Sequence, residues 1–161
     1  MATHGTKLYA MEQIELAPNA VIKSSTGNNF VQVTPSGTFV NSKKITVTAK
    51  TTTTTLTAAE VLGGLITCNQ GAGAVATYTL PTGTLLAAAL PTTFAVGDSF
   101  EFQVTNISTV AAEDVTIQGG TGTTLKGSGA VASNNAATDI SFATFRFVMT
   151  GTNTFDVYRV G

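Results

Sequence analysis

The clearest alternation of apolar and polar positions lies in the last twenty-two residues. There Phe145, Phe147 and Met149 fall on one face, Gly151-Thr152-Asn153 supply a turn, and Phe155 and Val157 answer on a return strand. This predicts a β-hairpin with one face in a core. The other face is not properly polar, because Val148, Tyr158 and Val160 stand on it beside Arg146 and Asp156. A ribbon that is apolar on both sides needs a second layer or a second subunit to cover it. Arg146, Val148, Tyr158 and Val160 are therefore the expected subunit-interface residues.

Upstream, short strands alternate with turn signals. Residues 1 to 44 read as an arm or small β module, in which Ala20-Val21-Ile22, Phe30-Val31-Gln32-Val33 and Thr38-Phe39-Val40 are separated by Ser, Gly, Asn and Pro clusters. Those pieces are too short to build a core alone. Residues 45 to 161 form the main domain. It opens on a strand with Ile45, Val47 and Ala49 on one side and Thr46, Thr48 and Lys50 on the other. Thr57-Ala58-Ala59-Glu60 has the form of a capping box for a helix of one or two turns that ends at Gly63-Gly64. Strands follow at 65–68 and 74–80, around a loop at 69–73. Leu85 to Leu90, stopped by Pro91, predicts a second short helix.

Ser99 to Asn106 is the cleanest half-buried strand, with Phe100, Phe102 and Val104 inward and Glu101, Gln103 and Thr105 outward. Asp114 to Gln118 is the next strand, Gly119 to Gly122 a turn, and residues 127 to 139 a small, polar surface loop. Regular short strands with turn signals between them predict an all-β fold: a jelly-roll-like sandwich or barrel with one or two very short helices, preceded by an extended β-rich N-terminal arm.

Composition changes this picture in one respect. Of the 161 residues (16.4 kDa), 43 % are hydrophobic and only 11 % charged, so the surface must be built from Thr, Ser, Asn, Gln and Gly. The run Thr51 to Thr55 is typical, since β-branched Thr favours extended structure and stays soluble. Net charge is −1, without the Lys/Arg cluster that phosphate binding requires, so nucleic acid is not an expected partner. The charge is uneven along the chain. Five lysines against Glu12 and Glu15 give the first 50 residues +3, and three bases against seven acids give the rest −4. No apolar run reaches the ~20 residues of a membrane span, and the first residues lack the basic and apolar regions of a secretory signal, so neither a membrane nor export is expected.

Candidate chemistry is sparse. The one histidine, His4, has no histidine partner, and Cys68 sits in an apolar strand where an inert thiol is expected. Asp98, Glu101, Glu113 and Asp114 match no calcium-loop spacing and read as solvated or turn-capping acids. The stretch from Gly119 to Gly127 resembles a phosphate loop only superficially, because Lys126 is followed by Gly rather than Ser or Thr. Asn106-Ile107-Ser108 is a glycosylation sequon that tells nothing without a secretory route. Arg146 and Arg159 stand among aromatic residues and are expected to pair with Asp156 or a neighbouring subunit's acid, or to lie exposed along apolar surface. No catalytic residue, metal site, cofactor or small-molecule substrate is expected, and the chain is not expected to be an enzyme.

From Thr57 to Gly161 the chain resembles the capsid decoration (cement) proteins of tailed phages and related fibre-head domains. The likeness lies in LTAAEVLGGLIT, TYTLPTGTLLAAALP, VGDSFEFQVTN, DVTIQGGTGTTLKG and FRFVMTGTNTFDVYRV. The resemblance implies a homotrimeric β-rich knob with an N-terminal arm that clips it to the outer face of the capsid, made in the host cytoplasm and carried on the virion. It implies the major capsid protein as partner, met through Lys7, Tyr9, Lys23, Lys43 and Lys44 of the basic arm, and a role in cross-linking neighbouring capsomers. The alternative is a trimeric head- or tail-fibre domain that grips a host receptor with the loops at 69–73, 119–123 and 127–139. A glycan hydrolase and a surface-layer or pilus-like subunit are weaker rivals, for want of a carboxylate pair and of an export signal respectively.

Overall fold

A computed structural model describes residues 21–23, 29–33, 39–41, 45–136 and 139–161. The chain divides into two units, Met1–Lys44 and Ile45–Gly161. In the first, β1 (Val21–Lys23), β2 (Asn29–Val33) and β3 (Phe39–Asn41) form a three-stranded antiparallel sheet, with Val21 opposite Gln32 and Val33 opposite Phe39.

The second unit is built mostly of strands. In chain order these are β4 (Thr46–Lys50), β5 (Thr54–Thr55), β6 (Gly64–Cys68), β7 (Ala76–Thr79), β8 (Ser99–Asn106), β9 (Val115–Gln118), β10 (Thr123–Lys126), β11 (Ala130–Val131), β12 (Phe142–Gly151) and β13 (Thr154–Arg159). Two helices interrupt them, α1 (Ala58–Gly63) before β6 and α2 (Gly83–Ala89) before β8. One sheet has the order β10-β13-β12-β8-β6-β4 and the other β11-β9-β7-β5. Successive strands from β4 to β12 therefore alternate between the two sheets. Each return to a sheet has passed through the other, and four pairs of strands two apart in sequence are parallel neighbours, β4 with β6, β6 with β8, β5 with β7 and β7 with β9, whereas β9 and β11 pair antiparallel. The all-β class expected from the sequence is thus present, but a jelly roll's wholly antiparallel neighbours are not. Apolar alternation fixes which face a strand buries and carries no record of its direction.

The inner faces of the two sheets meet in one core. Ile66, Phe102, Val104, Phe145, Phe147, Phe155 and Val157 come from the larger sheet, and Ala76, Tyr78, Val115, Ile117 and Val131 from the smaller. Phe147 lies at its centre, stacked on Phe100 with centroids 4.8 Å apart and approached edge-on by Phe155 at 6.3 Å. The two helices pack against each other and add Val61 and Leu86 to this core. A helix of six residues is marginal by itself, so α1 depends on its cap. The Thr57 hydroxyl accepts from Glu60 N–H, and the Glu60 carboxylate accepts from Thr57 N–H at 2.8 Å. Glu60 also meets Lys50 Nζ at 2.6 Å, tying α1 to the edge strand. Burial raises the Glu60 pKa, but the Lys50 and Thr57 bonds together outweigh it and hold the carboxyl below its usual range.

Three expectations need correction. Helix α2 begins at Gly83 rather than Leu85, because the Thr82 hydroxyl caps Leu85 N–H. Residues 127 to 139 are not simply a surface loop: they contain β11, and Val131 and Ser133 are buried. The turn at 119–122 leads into a further strand, β10, that runs parallel to β13.

Candidate functional site

The terminal hairpin supplies the middle of the larger sheet, and its register decides what that sheet shows to water. Phe145, Phe147, Phe155 and Val157 are buried, so Phe142, Thr144, Arg146 and Val148 of β12 and Asp156, Tyr158 and Val160 of the return strand point outward. Arg146 lies opposite Tyr158, Val148 opposite Asp156, and Thr144 exchanges backbone bonds with Val160 and Gly161. All four expected interface residues thus share one face. Val148 is half-buried by its neighbours, while Arg146, Tyr158 and Val160 are exposed.

That face is wider than the hairpin. On β4 the apolar side, Val47 and Ala49, with Ile45 just before it, turns outward, and the Lys50 side turns toward α1. The register places Val47 beside Leu65, Leu65 beside Gln103, and Gln103 beside Thr144. Ile45 is 51 % exposed, Val47 59 %, Phe142 56 %, Tyr158 40 % and Val160 46 %. Ile107 and Ile140, also exposed, extend the β8 and β12 alternation past Phe142, where Asn106 N–H donates to Ser141 O at 2.7 Å. The smaller sheet is unlike this. Its outward positions are Thr55, Thr77, Thr79, Thr116, Gln118 and Ala130, with Val75, 59 % exposed, just before β7. The smaller sheet's outer surface is mainly threonine, whereas the larger sheet's carries apolar strips among its polar residues.

The charges on the apolar face neutralise one another. Arg146 donates to Glu101 Oε1 through Nε at 2.8 Å and Nη2 at 2.5 Å, across the β12–β8 pair. Lys126 approaches Asp156 at 3.6 Å across β10–β13. Both pairs are at least partly exposed and contribute little stability. Arg146 therefore pairs with Glu101 and not with Asp156. Arg159 points the other way and donates to the backbone oxygen of Ala130 on β11.

The acids weighed as metal ligands have other work. Asp98 accepts from Ala95 N–H, and Asp114 accepts from Ser133 N–H at 2.9 Å. Glu113 is buried, and its carboxylate accepts from the Ser108 hydroxyl at 2.5 Å and from Gly73 N–H at 2.7 Å. The Ser108 hydroxyl, then the Gly73 amide, hold its pKa below the usual carboxylate range. The glycines at 71 and 73 adopt φ of +64° and +66°, which lets the loop turn its amides onto this carboxylate. Among the described residues no group of three or more His, Cys, Asp or Glu is arranged to hold a metal ion. Cys68 is buried in the core, and burial pushes its thiol up to about 11. The buried Tyr78 hydroxyl lies beside it and has no oxygen or nitrogen partner, so the Cys68 thiol is its one polar neighbour among the described residues.

Lys23 ends β1, and His4, Lys7, Tyr9, Lys43 and Lys44 lie outside the described residues. Sequence reasoning missed Ile140 and Phe142, though both share the parity of Arg146 and Val148 and were legible on that ground. It recorded Ile45 and Val47 as one side of a strand without assigning that side to water. No helix among the described residues is long and apolar enough to cross a membrane. A comparison with protein-family models and with curated proteins finds no match.

Proposed function

We propose that this protein is a structural one: a homotrimeric capsid decoration protein that binds the outer face of a phage capsid and cross-links neighbouring capsomers. In this reading residues 45–161 are a sandwich-like knob and residues 1–44 are the attachment arm. The observation that carries the proposal is the outer face of the six-stranded sheet, where Ile45, Val47, Phe142, Tyr158 and Val160 stand exposed on one surface, whereas the other sheet's outward strand positions are mainly threonine. An exposed patch of that kind marks an interaction surface. The charge-poor, threonine-rich remainder suits a shell that stays exposed. The chain lends itself to mechanical rather than chemical work, since Glu113, the buried acid among the described residues, latches a loop and the thiol is sealed in the core.

The role of the arm follows from its charge. Its net positive balance against the acidic remainder fits an arm laid on an acidic capsid surface, with Lys7, Tyr9, Lys23, Lys43 and Lys44 as contacts to the major capsid protein. Many copies bound to a lattice act together, so weak single contacts suffice. The test is to add purified protein to capsids that lack it and image them. Density at regular positions on the outer surface is the expected result, and unbound capsids at saturating protein would refute the role. Deleting residues 1–44 should leave an assembled knob that no longer attaches.

A further inference from the structure

The apolar side chains on the outer face stand in two strips. On one side of β8 are Ile45, Val47 and Leu65, and on the other are Phe142, Tyr158 and Val160. A polar spine of Glu101, Gln103 and Thr105, joined by Thr144 and Arg146, runs between them. We infer that a second copy of this chain covers the face head to tail, the β4/β6 strip of one copy packing on the β12/β13 strip of the next. This rests on the oligomeric part of the proposed function and names the surface that performs it.

Three features bear on the occupant and the arrangement. The first is charge: Glu101 with Arg146 and Asp156 with Lys126 leave the face with no net charge, so it selects neither a basic nor an acidic partner, and a copy of itself meets it without an unpaired ion. The second is area. Taking about 200 Å² for a whole residue, the exposed fractions of Ile45, Val47, Phe142, Tyr158 and Val160 amount to on the order of 500 Å². In a head-to-tail contact one strip of each copy meets one strip of the next, so a single contact covers about this area in total and is a small one, and a closed ring in which every subunit makes two such contacts is what holds the assembly together. The third is asymmetry. The β4/β6 strip is wholly aliphatic and sits at a sheet edge, whereas the β12/β13 strip carries two rings and lies in the sheet interior. Either arrangement that covers both strips sets the aliphatic strip against the ring-bearing one, and the native mass separates a twofold pair, which stops at two copies, from a head-to-tail ring, which does not. A head-to-tail contact covers both and, where the rotation closes, makes a ring.

The test uses the full chain with Val47→Lys in one strip and Phe142→Lys in the other, followed by sedimentation velocity. Each variant alone should be monomeric where the native chain is fully assembled, with self-association weakened about a hundredfold or more. Mixed one to one, the two should form a dimer and stop there, because the intact strip of each meets the intact strip of the other and the damaged strips block further addition. Either variant assembling alone as the native chain does, or a mixture that stays monomeric, overturns the inference. Circular dichroism confirms folding, and Val47→Ser and Phe142→Ser replace any lysine variant that does not fold. Capsid binding is read separately. A chain that assembles as described yet ignores capsids removes the decoration role and leaves the strips, while capsid binding by a native chain that is monomeric does the reverse.

Discussion

Phe147 and Phe142 lie five residues apart on the same strand and should differ sharply in what they cost to truncate. Phe147 is fully buried, stacks on Phe100 at 4.8 Å with the rings 7° from parallel, and has Phe102 at 5.7 Å and Phe155 at 6.3 Å. Removing a buried phenyl ring costs about 3–5 kcal/mol, and each aromatic pair lost adds ~0.5–1.5 kcal/mol to the transfer and cavity effects, which places Phe147→Ala at the upper end of that range. A domain of this size has only about 5–15 kcal/mol to lose, so the variant should be close to unfolding at 37 °C. Phe142 is 56 % exposed and should cost under ~1 kcal/mol in the isolated subunit. The assay is urea unfolding followed by circular dichroism at dilute and concentrated protein. At high concentration Phe142→Ala should lose the extra stability that assembly confers on the native chain, because it weakens association rather than folding. A Phe147→Ala cost below ~1 kcal/mol, or equal costs for both variants in dilute solution, would refute the assignment of faces.

Other consequences can be checked independently. A Cβ on Gly83 would lie 1.9 Å from Asn153 O, whereas one on Gly97 would meet nothing within 4 Å, although Gly97 has φ of +96°. Gly83→Ala should therefore cost about 2–3 kcal/mol or more and Gly97→Ala only ~1–2 kcal/mol, read as unfolding midpoints; the reverse order would contradict the packing of α2 on the hairpin turn. The Cys68 thiol should resist a disulfide reagent at pH 8 until the protein unfolds. Between pH 9 and about 11 the unfolded chain has released the Cys68 proton and the folded chain still holds it, so stability should fall as pH rises, by about 2–3 kcal/mol. Cys68→Ala should flatten that slope, and an unchanged slope would count against a buried thiol. Glu113 has the opposite sign: its contribution is present above the usual value of 4.5 and is lost as pH falls through the lower folded value. Hydrogen exchange at Gly73 N–H should accordingly be slow at neutral pH and fast in Glu113→Gln; equal protection in both would contradict the latch.

Strand faces, local caps and the terminal hairpin were legible in the sequence, and the other pairing partners were not. Ser99 to Asn106 alternates so regularly that its ends and inward residues follow directly, and the Thr57–Glu60 box announces α1 because capping is a four-residue property. β10 and β11 were missed for a physical reason. TTLK is too polar and AV too short to show a period, and they are strands because β13 and β9 offer them backbone partners. The parallel winding was hidden for the same reason, since hydrogen-bond partners lie far apart along the chain. On the candidate face, the hairpin half followed from parity within one segment. The β4 half did not, because Ile45 and Val47 reach the same surface only through the β4–β6–β8 register. Nothing local told which side of that strand faced water.

The measurement that bears most directly on the account is the mass of the native chain in solution by sedimentation equilibrium, from submicromolar to tens of micromolar. The exposed hydrocarbon of the six-stranded sheet predicts a concentration-dependent rise above the 16.4 kDa of one chain, and the proposed homotrimer sets its end point at three times that mass. A single 16.4 kDa species across that whole range would show that this face stays in water uncovered, and would contradict both the assembly and the role built on it.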